Sequence, residues 1–63
     1  MSGKIARVEA SANVNAFCVI YRSGREDYYC RRDVPKTVLD FMLNATAHTW
    51  EHPITKEKMV IFQ

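Results

Sequence analysis

The clearest alternation in the chain runs from Ala16 to Arg22. There Phe17, Val19 and Tyr21 fall on one side of an extended backbone, with Cys18 and Ile20 on the other. A period of two carried by aromatic and β-branched residues predicts a strand. Ser23-Gly24 interrupts it, and a second run, Glu26 to Arg32, brings Tyr28, Tyr29 and Cys30. Two such runs around a glycine predict a β-hairpin. A three-residue loop, Ser23 to Arg25, sets Arg22 opposite Glu26 and Cys18 opposite Cys30; a two-residue loop shifts that register by one. The first is favoured because it pairs opposite charges across the strands.

The flanks read less sharply. Lys4 to Ala10 alternates weakly, with Ala6, Val8 and Ala10 on one side and Arg7 and Glu9 on the other, and predicts a short, moderately exposed first strand. Ser11 to Asn15 is rich in turn formers. Asp33-Val34-Pro35 marks a helix start, with Asp33 as the capping residue and proline in the first turn. The helix is expected to run to Thr49 or Trp50, because His52 precedes Pro53 and so avoids the α region. A turn through Thr55, Lys56 and Glu57 leads to a last strand, Met59-Val60-Ile61-Phe62. The expectation is one α+β domain over residues 1–63: a small antiparallel sheet packed on one helix, in the order β-β-β-α-β.

That architecture leaves apolar surface to spare. At ~100° per residue, Val34, Val38, Leu39, Phe41, Met42, Leu43, Ala45 and Trp50 spread over roughly 200° of the helix. Packing on a sheet takes a stripe of only ~100°. The hairpin shows the same surplus, with Phe17, Val19, Tyr21 and Tyr29 on one face and Ile20, Tyr28, Cys18 and Cys30 on the other. One helix covers one face of a small sheet, and an aromatic face left open is large enough to signal an interaction site.

Size sharpens the point. A chain of 63 residues and 7.3 kDa exposes on the order of 10,600 Å² when extended and buries roughly 60% of it on folding. If a little over half of that is apolar, burial contributes about 90 kcal/mol. Ordering the chain costs about the same, at ~1.5 kcal/mol per residue. A disulfide, a metal, a partner or self-association is needed to tip the balance. Two cysteines do not make a multi-bridge secreted framework. The sequence opens Met1-Ser2-Gly3-Lys4 and has no apolar run of signal-peptide or membrane-span length. Its first glycine is at position 3, which excludes a myristoylation reading. A cytoplasmic setting with free thiols is therefore expected, and the Asn44-Ala45-Thr46 sequon carries no meaning there. Net charge is +2, too little to announce a nucleic-acid or membrane partner by itself.

Three constellations offer chemistry. Cys18, Cys30, His48 and His52 are potential zinc ligands, with both histidines on one face if the segment is helical, but the cysteines lack the close pairing of a structural zinc site. Cysteine is also a common buried apolar residue. A Cys/His nucleophilic pair would need an activated thiolate and an oxyanion site, and neither that site nor a Gly-rich phosphate loop is present. No cofactor and no catalysis are expected. On the hairpin, Arg22, Arg25, Tyr28, Tyr29, Arg31 and Arg32 interleave basic and aromatic side chains as in sheet-based single-strand binders. The competing reading makes the tyrosines core and pairs the arginines with Glu26, Asp27 and Asp33.

From the hairpin onward the chain resembles the KTSC domain, a short module found alone in bacterial and phage-type proteins and at the C-terminus of some lysyl-tRNA synthetases. The resemblance lies in Phe17-x-Val19-x-Tyr21, Ser23-Gly24, Tyr28-Tyr29, and Val34-Pro35 leading into Val38, Leu43-Asn44-Ala45 and Ile54. The family's Tyr-x-Tyr stands here as Tyr28-Tyr29-Cys30, the spacing from glycine to Val-Pro is longer, and the N-terminal part is shorter. The resemblance implies RNA binding, with only Tyr28 and Tyr29 carried over, and together with the size it implies a phage or mobile-element source. The surplus apolar surface points instead to a non-catalytic protein-binding module, an adaptor or inhibitor. Its partner is expected to be a second copy, as a homodimer, another protein, or both. The apolar sheet face, the helix flank and the edge of the C-terminal strand are the expected docking surfaces, with Phe41, Trp50, Met59, Ile61 and Phe62 as the expected contacts.

Overall fold

A computed structural model describes residues 4–11 and 15–63. Its elements are β1 (Ile5–Ser11), β2 (Ala16–Tyr21), β3 (Glu26–Cys30), a 3-10 turn over Arg31–Asp33, α1 (Lys36–Asn44), β4 (Ala47–Glu51) and β5 (Lys58–Phe62). The five strands form one antiparallel sheet in the order β3-β2-β1-β5-β4, and the α+β class follows as expected. The readings at Met1–Gly3 and over residues 12–14 lie outside the described residues; Ser11, expected in a turn, ends β1.

The weakly alternating first strand is the middle of the sheet. Val8 is fully buried, opposite Val19 of β2 and Phe62 of β5. Its alanines suit that place, because small side chains let a helix approach the backbone. A β-bulge at Ala6 sets Ile5 opposite Tyr21 while Arg7 stands opposite Ile20. The extra residue brings both Ile5 and Val8 to the helix side, where a regular strand would send them to opposite faces.

The β2–β3 hairpin has a three-residue loop, but one residue earlier than expected. Tyr21 and Arg25 close it, the Tyr21 N–H donating to the Arg25 carbonyl at 2.9 Å. The loop is Arg22-Ser23-Gly24, and Gly24 takes φ of 92°. A type I turn followed by a left-handed residue needs glycine third, and only this placement supplies it. Glu26 accordingly faces Ile20, not Arg22, and Cys18 faces Tyr28, not Cys30. The shift is by two in pairing, so every side chain keeps its expected face.

The helix is shorter than expected. Pro35 stands at its N-cap position with no side-chain cap, and Asp33 belongs to the 3-10 turn. Helix α1 ends at Asn44, and the segment Ala47–Glu51 pairs with β5 as a further strand. Thr46 and Gln63 extend that ladder through two reciprocal 3.0 Å bonds. The His52 imidazole organises the β4–β5 turn: its Nδ1 accepts the N–H groups of Ile54 and Thr55, each at 3.1 Å.

The core lies between α1 and one face of the sheet. Val8, Val19 and Val38 are its fully buried side chains, with Ile5, Phe17, Tyr21, Tyr29, Val34, Phe41, Met42 and Phe62 packed around them. Leu39 and Leu43 are the outer part of the helix's apolar arc, and Leu43 is 83% exposed. The molecule measures 37 × 21 × 21 Å with a radius of gyration of 11.5 Å, against about 10.6 Å for a compact domain of this length. Its accessible surface is 4838 Å², where a compact monomer of its mass exposes about 4,200 Å².

Candidate docking face

Pairing register fixes what the helix leaves uncovered. One cross-strand row reads Tyr28–Cys18–Glu9–Ile61–His48, and the row beside it reads Glu26–Ile20–Arg7. A third brings Ser11, Met59 and Trp50 into line. All lie on the face opposite α1. This open face has a polar stripe along the central strand, made of Arg7, Glu9 and Ser11. Apolar side chains flank it: Cys18, Tyr28 and Ile20 on one side, Ile20 only 9% exposed, and Ile61, Met59 and Trp50 on the other.

The polar groups of the face are tied down. Arg7 Nε donates to Glu9 Oε2 at 2.8 Å, with the two side chains 41% and 24% exposed. Ser11 Oγ donates to Glu57 Oε1 at 3.1 Å. Tyr28 donates its hydroxyl to Glu26 Oε1 at 3.1 Å, and the Cys18 thiol lies 3.9 Å from the same oxygen. Partial burial pushes the Cys18 thiol up from its ordinary value; the Tyr28 hydroxyl pulls it down, while the charges of Glu26 and Glu9 add to the rise. Tyr28 is raised in turn, first by its hydrogen bond with Cys18 and then by Glu26. A raised thiol is the opposite of an activated nucleophile. His48 shares the row of Cys18 but stands three strand spacings away, about 14 Å. His52 spends its Nδ1 lone pair on the turn. Among the described residues no group of three or more His, Cys, Asp or Glu could hold a metal ion, and both cysteines are free.

The expected docking residues divide. Met59, Ile61 and Trp50 lie together on the open face, and Trp50 is 45% exposed with its ring edge-on to His52 at 5.6 Å. Phe41 and Phe62 do not join them; both pack against the valine core beneath the helix. Strand β5 is not a free edge, since β4 covers it. The same face also carries Cys18 and Ile20, whose alternation within β2 was the available signal, and Arg7 and Glu9, whose central place depends on β1 being the middle strand.

The basic and aromatic residues of the hairpin divide as well. Tyr28 projects from the open face, 70% exposed, whereas Tyr29 packs under the helix. Arg22 and Arg25 sit at the loop, and Arg31 and Arg32 lie beyond the other end of β3, about 17 Å along the strand. Arg25 is engaged within the fold, 5.8 Å above the Tyr21 ring and 3.5 Å from Asp27. Around that contact Tyr21, Asp27, Asp40 and Phe41 line an open cleft between the loop and α1.

No family model matches the chain, and no curated protein and no solved structure matches it either. No helix in the described residues is long and apolar enough to cross a membrane.

Proposed function

We propose that this chain is a non-catalytic protein-binding module that docks stoichiometrically through the open face of its sheet, and that it associates with itself. One observation carries the reading: α1 covers one face, while on the other Tyr28 and Trp50 stand exposed, 70% and 45%, beside the half-buried Ile61 and Met59. Two quantities support it. The accessible surface exceeds that of a compact monomer by about 650 Å², and among the described residues the buried hydrophobic side chains are Val8, Val19, Val38 and Ile20. Nucleic-acid binding is the weaker reading, because Tyr28 and Tyr29 point to opposite faces and the four arginines lie at two ends of β3.

The test is mass in solution by light scattering over a dilution series. Twice the 7.3 kDa chain mass is expected at high concentration, with only a shallow dependence on salt. Ile61→Glu and Trp50→Glu are expected to shift the mass to that of one chain, whereas Leu43→Glu on the helix flank leaves it unchanged. A chain that stays single at every concentration, or an association indifferent to Ile61→Glu and Trp50→Glu, removes the reading. A steep salt dependence abolished by Arg31→Ala and Arg32→Ala, measured with a single-stranded oligonucleotide, would put nucleic acid in its place.

A further inference from the structure

The charges at the middle of the open face specify how a partner can sit. We infer that the occupant is a second copy of this chain, seated face to face about a two-fold axis that crosses β1 between Arg7 and Glu9, so that each Arg7 meets the partner's Glu9. This rests on the docking reading above and goes past it to a particular arrangement.

Strand β1 is the middle of five, so Arg7 and Glu9 stand near the centre of the patch and close to any two-fold axis that buries it evenly. Two sheets packed face to face are related by an axis lying in the plane between them. If the axis runs along the strands, Arg7 lands on the partner's Arg7 and Glu9 on the partner's Glu9. If it runs across the strands, each residue lands on its opposite. Apolar surface does not distinguish the two. In the first, the Tyr28–Cys18 patch covers the partner's Ile61–Met59 patch; in the second, each patch covers its own copy. The decision falls to charge, since like charges brought together at an interface are strongly unfavourable. A self-complementary surface in which one residue meets another reciprocally is the signature of an isologous dimer.

Geometry is compatible: sheets stack about 10 Å apart, a gap that an arginine and a glutamate reaching toward each other can span. The existing 2.8 Å pair would become a closed ring of four alternating charges. Such a buried network contributes little net stability, and its best-attested role is to set register.

The test is charge reversal with mixing. Arg7→Glu carries two acids at the centre and Glu9→Arg two bases. Each alone is expected to associate at least about tenfold more weakly than the wild type while keeping its circular dichroism spectrum. Mixed one to one, they are expected to recover a mass of two chains, because both central acids of one variant then face the two central bases of the other. The double variant R7E/E9R is expected to self-associate like the wild type. If a reversal unfolds the chain, Arg7→Gln and Glu9→Gln carry the same test: each alone weakens association and their combination regains it. The axis itself is read from two variants charged at position 7 alone, Glu9→Gln and R7E/E9Q: they are expected to gain nothing from mixing, and recovery of a two-chain mass in that mixture sets the axis along the strands and overturns the arrangement. So does an Arg7→Glu and Glu9→Arg mixture that stays monomeric while Ile61→Glu and Trp50→Glu dissociate the wild type, and either result leaves the docking face standing. A wild type that is single throughout removes both.

Discussion

At the scale of single residues, Gly24 and Tyr21 make the hairpin what it is. A Cβ on Gly24 would meet nothing within 4 Å, so the cost of Gly24→Ala is purely that of holding φ near 92°. It is expected to destabilise the fold by about 1–2 kcal/mol, read from a lower urea midpoint at unchanged slope. The same glycine explains what was legible here. The position of the loop follows from its left-handed conformation, a stronger constraint than the Arg22–Glu26 attraction that suggests a register from sequence. The faces survive because a pairing shift of two preserves alternation. Tyr21 is half-buried against the core, and burial, followed by its hydrogen bond with Asp27, pushes its phenol up to about 12. The folded state thus holds this proton more tightly than the unfolded chain, whose tyrosine titrates near 10. Its contribution to stability is complete below pH 10 and is lost as pH rises toward 12. Tyr21→Phe is expected to flatten that decline and to remove the highest step in the phenolate absorbance titration.

At the scale of elements, the instructive segment is Ala45–Trp50. Its apolar residues continue the helical spacing of Val38, Phe41 and Met42, and nothing before Pro53 breaks a helix outright. What decides the outcome is pairing with β5, several residues later in the chain, and strand preference is set by such neighbours more than by local sequence. Once β4 forms, the expected His48–His52 helix face disappears, and so does the free edge on β5. Phe62 reads as a contact from sequence for the same reason, because a strand expected at the margin lies second from it. The β4–β5 hairpin depends on the imidazole of His52, which accepts two turn N–H groups and abuts Trp50. His52→Ala is expected to cost about 1 kcal/mol and to raise amide exchange in β4 and β5 more than in β2 and β3.

At the scale of the whole molecule, composition and patterning were enough to read an α+β fold with one helix on a small antiparallel sheet. They were not enough to show which strand is central, because Lys4–Ala10 alternates weakly and its two alanines resemble an exposed strand until the helix is placed over them. That gap hid Arg7 and Glu9. Linkage gives a further check on self-association: a fold stabilised by a second copy melts at a temperature that rises with protein concentration. An increase of several degrees over a hundredfold concentration range is expected for the wild type, and a flat profile for Ile61→Glu. Joining the first strand to the last has a separate consequence during synthesis. Strands β2 and β3 can zip up early, but β1 keeps one side unsatisfied until β5 leaves the ribosome, and β4 has no sheet neighbour before then. Such distant pairings form late and leave sticky borders exposed in the meantime. A nascent chain halted before Lys58 would therefore present a bare strand border on β1, which makes premature termination in this molecule a route to aggregation.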